Sequence, residues 1–165
     1  MDRGAGVTVT IVAVNGCVLG GGADQYRKRL DKSGASVALV IAFGDFDYFI
    51  GGDLTGGGRP GRKITEDMET PVAAKVGRID ALRLNHHGSN TSSNKFFLET
   101  LRPTVVVVSV GDGYPNTRYR HPARAVLKRP HDIEALGLKA FYATNQRKTT
   151  AGLPPRAITI SPCLR

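Results

Sequence analysis

Cysteine is scarce in this 165-residue sequence, and tryptophan is absent. The two cysteines, Cys17 and Cys163, lie far apart and form no CxxC motif, which excludes a disulfide framework and a cysteine-type zinc site. No apolar run approaches the roughly 20 residues that a membrane-spanning helix requires. The first residues also lack the basic-then-apolar layout of a signal peptide. These absences predict a soluble chain with no membrane segment and leave its cellular location open.

The remaining composition is that of one globular domain, expected to cover residues 1–165. Hydrophobic residues make up 41% of the sequence and charged residues 22%, which excludes a wholly disordered chain and a coiled coil. The net charge is +9, and most of it lies after Thr117, where ten basic residues accompany two acidic ones. This basic end predicts a nucleic acid or another anionic substrate as partner. A solvated basic face is the alternative.

Apolar patterning predicts strands first and alternating strands and helices afterwards. Strands are predicted over 7–14, 37–43, 46–50, 79–84, 104–110, 139–143 and 157–160. Helical segments are predicted within 66–76, starting near Pro71, and over 94–101, 122–128 and 131–136, with Pro130 dividing the last two. The alternation indicates an α/β fold, a mixed β-sheet with flanking helices.

Two predicted strands end in residues that can bind metal. His86 and His87 follow one strand directly, and Asp53 follows the strand FDYFI after two glycines. Sites in α/β proteins usually lie where strands end. Carboxylate and imidazole groups are suitable ligands for a zinc ion. A turn-forming aspartate beside two histidines without a chemical role is the alternative.

A longer pattern contains these residues. It runs through GDL at 52–54, Asp80, NHHGS at 85–89, Thr91-Ser92, Pro103, VVVVSVG at 105–111, Tyr119 and His121-Pro122. The order resembles the metallo-β-lactamase-fold hydrolases, most closely their ComEC-like branch. The resemblance implies a four-layer αββα sandwich with two metal ions, usually zinc, in a groove at the sheet edges. It also implies hydrolysis of a phosphodiester, including nucleic acid, or of an ester by metal-activated water.

The resemblance implies a role for each residue at the strand ends. Asp53 matches the metal-bridging aspartate. His87 is the better candidate for a metal ligand, and His86 for a group contacting the scissile oxyanion, although the reverse assignment stays open. We expect Asp53 and the histidine pair to lie within about 8 Å of each other, because ligand bonds to a shared ion are near 2 Å.

Further residues complete the expected site. His121 would line the groove without binding metal directly. Asn85 and Ser89 would orient the imidazoles. Arg118 and Arg120 would contact the phosphates of a substrate.

The sequence also departs from the family pattern. It contains no HxHxDH run, and no histidine precedes His86. It therefore resembles the C-terminal half of the family domain, a half or truncated αββα sandwich. We expect one weakly held zinc ion rather than a binuclear centre. We also expect an exposed sheet face or edge, covered in a homo-oligomer or by a chain that supplies the other half.

Two other functions remain open at the level of sequence. Ser89 lies three positions after His86, so a metal-independent ester hydrolase with a serine nucleophile and a histidine oriented by Asp53 is conceivable. No GxSxG motif accompanies it. The third alternative is a non-catalytic binding module or an incomplete domain.

Overall fold

The structure is a computed structural model that describes residues 6–21, 35–58, 65–110, 121–132 and 137–144. Seven strands are present in these ranges: β1 (Val7–Val14), β2 (Cys17–Val18), β3 (Val37–Phe43), β4 (Phe46–Ile50), β5 (Ala81–Arg83), β6 (Val105–Val108) and β7 (Ala140–Ala143). Three α-helices accompany them: α1 (Glu69–Val76), α2 (Lys95–Leu101) and α3 (Arg124–Asp132). A short 3-10 helix, Asn85–Gly88, follows β5 and is called the histidine turn below.

All seven strands form one mixed sheet. Their order is β2-β1-β3-β4-β5-β6-β7, antiparallel from β2 to β4 and parallel from β4 to β7. One helix lies between each consecutive pair of parallel strands along the chain, as crossover connections require. The predicted α/β fold, a mixed sheet with flanking helices, is confirmed.

The antiparallel part of the sheet is built from runs of β-branched residues. β1 pairs with β3 from Val7 opposite Phe43 to Val14 opposite Val37, with a register shift between Ile11 and Ala13. β3 and β4 form a tight hairpin across Gly44-Asp45, where Gly44 takes a positive φ of 58°. Glycine accepts this conformation without steric cost, so the last residue of β3, Phe43, can pair with the first residue of β4, Phe46.

The hydrophobic core lies on one face of the sheet. Partnered residues on neighbouring strands point to the same face, and one such row crosses the sheet at Val40, Phe49, Leu82, Val106 and Phe141. Helix α2 packs over this row, where the Phe97 ring meets the Phe49 ring edge to face at 5.4 Å. The core therefore fixes the strands after which Asp53 and the histidine pair lie.

The opposite face of the antiparallel strands is apolar and exposed. Its large exposed residues are Val7, Val9, Ile11, Val14, Val37, Phe43 and Phe46, and together they are called the open face. Their strand neighbours on the same side, Leu39, Ile41 and Ile50, are also apolar. The exposed sheet face predicted from the sequence is thus present.

The helices differ from the prediction in two places. Helix α1 begins at Glu69, two residues before Pro71, which still lies in the first turn where its missing N–H is tolerated. Helix α3 continues across Pro130 instead of stopping there, because a proline in the last turn removes only one intrahelical hydrogen bond. None of the helices in the described ranges has the length and apolar character that crossing a membrane demands.

Two predicted segments cannot be compared. The strand predicted over 157–160 lies outside the described residues, as does most of the helical turn predicted over 131–136.

Candidate functional site

Three neighbouring parallel strands end at the candidate site. Asp53 follows β4, the histidine turn follows β5, and Ser109 follows β6. The carboxyl ends of parallel strands lie along one edge of the sheet, so the topology alone brings these segments together.

The turn after β4 holds Asp53 by its backbone. The Asp53 N–H donates to Ser36 Oγ at 2.9 Å. Gly52 has a φ of 58°, and its carbonyl accepts the N–H of His86 at 2.9 Å. The carboxylate turn and the histidine turn are therefore joined by a direct backbone hydrogen bond.

The histidine turn has an unusual backbone. His86 and His87 have φ values of 48° and 52°, so two successive residues with side chains lie in the left-handed region. Such residues cost free energy and persist where surrounding contacts hold them, often at functional sites. The Ser89 N–H donates to the His86 carbonyl at 2.8 Å and closes the turn.

The structure brings the Asp53 and His87 side chains together. His87 Nε2 lies 3.7 Å from Asp53 Oδ1, and the two side chains are 44% and 46% exposed. A substrate or ion in solvent can therefore reach both groups.

The other ring nitrogen of His87 is fixed by a carbonyl. His87 Nδ1 lies 2.6 Å from the Ser109 carbonyl oxygen. A carbonyl oxygen only accepts, so Nδ1 carries the hydrogen in this bond. In a neutral His87 the lone pair is then on Nε2, and it faces the Asp53 carboxylate.

Two more imidazoles flank this pair. The ring centroids of His86 and His121 lie 5.7 Å apart. Burial lowers the pKa of His121, and the charges of His86 and His87 lower it further, while the Asp53 carboxylate opposes them. All four groups thus share one electrostatic environment.

His86 contributes a buried acceptor or donor atom. Its Nδ1 is buried and has no hydrogen-bond partner among the described residues. A buried imidazole nitrogen without a partner is costly, so a bound group that supplied one would stabilise it.

The arrangement fits one metal ion only in part. Two ligand atoms near 2.0–2.1 Å from a tetrahedral ion lie roughly 3.3 Å apart, close to the Asp53–His87 distance. Within the described ranges, no set of three or more His, Cys, Asp and Glu side chains could hold a metal ion. Asp53 and His87 can therefore supply two ligands to an ion whose other ligands come from elsewhere.

Three bacterial proteins match the chain. It is 36% identical over 115 residues to competence protein ComA of Neisseria gonorrhoeae, which covers 68% of the chain and 14% of that protein. It is 29% identical over 131 residues to ComE operon protein 3 of Bacillus subtilis, and this match covers 75% of the chain and 16% of that protein. It is 35% identical over 72 residues to recombination protein 2 of Haemophilus influenzae, and this match covers 41% of the chain and 9% of that protein.

The matched region is a small part of each relative. The chain spans about a sixth of the length of these curated proteins, or less. No protein-family model matches the chain.

The Ser89 hydroxyl is engaged by another residue. It contacts Thr91 Oγ1 at 3.1 Å, and Ser89 is only 8% exposed. No hydrogen bond joins this hydroxyl to an imidazole of the described ranges, whereas a serine nucleophile needs a base within about 2.6–3.2 Å. Arg118 and Arg120 lie outside the described residues.

Asn85 is the first residue of the histidine turn, and its side chain contacts a residue that sequence reasoning missed. Glu69, the first residue of α1, is fully buried, and its Oε1 accepts the Asn85 Nδ2 hydrogen at 2.8 Å. The sequence offers little signal for it, because Glu66, Asp67 and Glu69 occur close together and nothing distinguishes the buried acid from the other two.

Proposed function

We propose that the chain is a metal-dependent hydrolase of the metallo-β-lactamase fold, in the ComEC-like branch, acting on phosphodiesters of nucleic acid or on esters. The observation that carries this proposal is the orientation of His87. Because Nδ1 donates to the Ser109 carbonyl, the Nε2 atom is left for Asp53 Oδ1, 3.7 Å away. A metal ion held between these two atoms would be bound by both, with the imidazole in its neutral form.

The contact between His87 and Ser109 is the one that metal-binding histidines typically make. Such histidines donate the second ring N–H to a carbonyl or carboxylate, which fixes the tautomer. Asp53 Oδ1 and His87 Nε2 would hold one zinc ion, weakly, because the described residues offer two ligands. When bound, zinc supplies an acidified water and polarises the bond under attack.

The remaining residues of the site have roles that do not depend on ligation. His86 and His121 lie beside the Asp53–His87 pair, with their ring centroids 5.7 Å apart. There His86 would contact the developing oxyanion, and His121 would contact the substrate. The Ser109 carbonyl keeps the His87 ring in place. Ser36 Oγ keeps the turn of Asp53 in place. These contacts preorganise the site, which is where much of an enzyme's rate enhancement arises.

Charge and relatives support a nucleic acid as the substrate. The relatives are named as competence and recombination proteins, and we infer a role of this chain in handling DNA during uptake. Arg124 and Lys128, four residues apart, are both exposed on α3, the helix that follows His121. Arg129 is excluded from this role because it is bonded to backbone carbonyls.

The open face supports an assembly. Seven large apolar residues are exposed on this one face, and contiguous exposed apolar patches often mark protein–protein interaction sites. We infer that it is covered in the functional protein. In the purified protein, a second copy of the chain can cover this face. In a larger assembly, a chain that carries the HxHxDH half would cover it.

The test of function combines metal content with turnover. We expect the purified protein to bind zinc and to hydrolyse bis(p-nitrophenyl) phosphate or a single-stranded oligonucleotide with zinc present. Asp53→Asn and His87→Ala should each weaken zinc binding at least tenfold and abolish turnover. Asp45→Asn, in the exposed hairpin turn, is the matched control and should change neither.

The other two functions correspond to other outcomes of the same test. Turnover that survives chelation and disappears in Ser89→Ala would establish the serine hydrolase instead. A protein that binds no zinc and hydrolyses none of these substrates would be a binding module or an incomplete domain.

A further inference from the structure

The carboxylate of Glu69 connects helix α1 to both ends of one segment. Oε1 accepts the Asn85 Nδ2 hydrogen at 2.8 Å and the Ser93 N–H at 2.5 Å, and Oε2 accepts the Asn94 N–H at 2.7 Å. All three donors belong to the stretch that contains the histidine turn. One side chain therefore fixes where this stretch begins and where it ends.

The surrounding chain leaves room for this network. A Cβ at Gly56 would overlap Glu69 Oε2, and a Cβ at Gly51 would overlap Asn85 Oδ1. Gly51 lies two residues before Asp53, so the close approach of Asn85 to the β4 turn depends on the absence of a side chain there. The network and the two strand-end turns thus pack as one unit.

A buried carboxylate at this position is expensive. Glu69 has no exposed surface, and removing a charge from water costs several kcal/mol unless hydrogen bonds replace the lost hydration. Three N–H donors replace part of that hydration. An apolar residue could fill the same space without this cost, but it could not bind the backbone of the 85–94 segment.

We propose that Glu69 is a positioning residue whose carboxylate holds the histidine turn in the left-handed backbone conformation that directs His87 towards Asp53. The connection from Glu69 to the histidines is direct. Glu69 accepts a hydrogen bond from the Asn85 side chain, and His86 and His87 are the next two residues. The His86 N–H then binds the Gly52 carbonyl of the Asp53 turn. The inference rests on the proposed function of the site for its consequence, but the positioning itself can be measured without metal.

Hydrogen exchange in Glu69→Gln tests the positioning. The glutamine amide can accept from one side only, and its NH₂ opposes one of the three N–H donors. We expect the His86 and Ser89 amides to exchange at least tenfold faster relative to the Leu84 amide, which bonds the Val107 carbonyl across the sheet. Equal acceleration of all these amides would mean general destabilisation and would overturn the proposal, as would no change at His86.

The matched control is Glu99→Gln, an exposed acid on α2 that pairs only with Lys95 among the described residues. It should leave all of these exchange rates unchanged. If Glu69→Gln does not fold, Asn85→Ala keeps the acid and its two backbone donors but cuts its link to the turn. That variant should accelerate exchange at His86 and Ser89, and normal exchange there would overturn the proposal.

Zinc titration separates this inference from the function. In Glu69→Gln the zinc dissociation constant should rise 10- to 100-fold, the effect typical of residues that orient metal ligands. If the wild-type protein binds no zinc, the proposed function fails, while the exchange data still decide whether Glu69 positions the turn. Unchanged zinc affinity in a variant of a zinc-binding wild type would overturn the positioning role.

Discussion

The guanidinium of Arg129 on α3 donates to the Ser92 carbonyl oxygen at 2.7 Å and, through the same Nη1, to the Ser93 carbonyl oxygen at 2.9 Å. Glu69 accepts the N–H of Ser93 from the other side. The segment after the histidine turn is therefore held between an acid on α1 and a base on α3. The two side chains bind different atoms of this segment, so their effects can be measured separately.

Removal of this arginine should destabilise the protein. Arg129→Ala leaves two partly buried carbonyls without a charged donor, and hydrogen bonds to charged groups each contribute about 1.5–3 kcal/mol. We expect a loss of about 2–3 kcal/mol in the free energy of unfolding, measured by urea titration. Lys128→Ala, exposed on the same helix, should change it by no more than about 0.5 kcal/mol. An equal effect of the two variants would contradict the structural role of Arg129.

A side chain at Gly88 should destabilise the protein for two reasons, the backbone conformation of this residue and a close contact with Pro122. Its φ is 73°, and a Cβ there would lie 2.8 Å from Pro122 Cβ.

Gly88→Ala should therefore lower stability by about 1 kcal/mol through its backbone conformation and by about 1–3 kcal/mol more through this contact, the usual range for overpacking. Thermal unfolding of the variant checks this. Because Pro122 follows His121, Gly88→Ala should also displace that histidine. A loss of no more than about 1 kcal/mol would show that the contact between the histidine turn and Pro122 is loose.

The strands were predictable because their signal is local. Val105–Val108 is a continuous β-branched run, and such runs fold as buried strands in almost any context. The proximity of Asp53 to the histidines was also within reach, because residues that follow neighbouring parallel strands share an edge. These parts of the fold and site follow from chain order and side-chain shape.

Other features depend on tertiary contacts and left no local trace. The left-handed backbone of His86 and His87 could not be predicted, because neither residue is glycine and the conformation is imposed by neighbours. Glu69 looked like any first-turn acid, yet it is buried by elements that come later in the chain. The same holds for Arg129. In the sequence it is one of the basic residues after Thr117, but in the structure it donates a hydrogen bond to the Ser92 carbonyl.

Binding of single-stranded DNA should depend on Arg124 and Lys128. Each phosphate contact removed lowers the slope of log affinity against log salt by about 0.7 for single strands. Arg124→Ala with Lys128→Ala should therefore weaken binding at low salt and flatten the slope by about 1.4 if each makes one contact. The charge-matched control is Lys75→Ala with Arg78→Ala, two exposed residues at and just beyond the end of α1. Equal losses in both double variants would indicate attraction by net charge alone.

The open face should control the assembly of the chain. A charge placed among apolar residues prevents their burial, so Val9→Lys should reduce the mass measured by light scattering to that of a single chain. Thr8→Lys adds the same charge to the neighbouring residue on the other side of β1, and it should leave the mass unchanged. A wild-type protein that is already monomeric would show that a second copy does not cover this face.

The stability of the protein should depend on pH through Glu69. Burial raises the pKa of this carboxyl from 4.5 to about 7, against the effect of its hydrogen bonds, and Asp67 adds to the increase. The folded chain therefore keeps a proton at Glu69 that the unfolded chain releases above pH 4.5. Because the folded state binds more protons in this interval, its stability falls as pH rises from 4.5 to about 7.

The expected decrease is about 3 kcal/mol, since each pH unit of difference corresponds to about 1.4 kcal/mol. Urea titrations between pH 4 and pH 8 measure it directly. Glu69→Gln has no ionisable group at this position. Between pH 4.5 and pH 7 its free energy of unfolding should therefore fall by about 3 kcal/mol less than that of the wild type. Glu99→Gln keeps the buried acid and should retain the wild-type profile. Parallel profiles for the wild type and Glu69→Gln would mean that Glu69 is ionised throughout and that its three N–H donors fully replace the lost hydration.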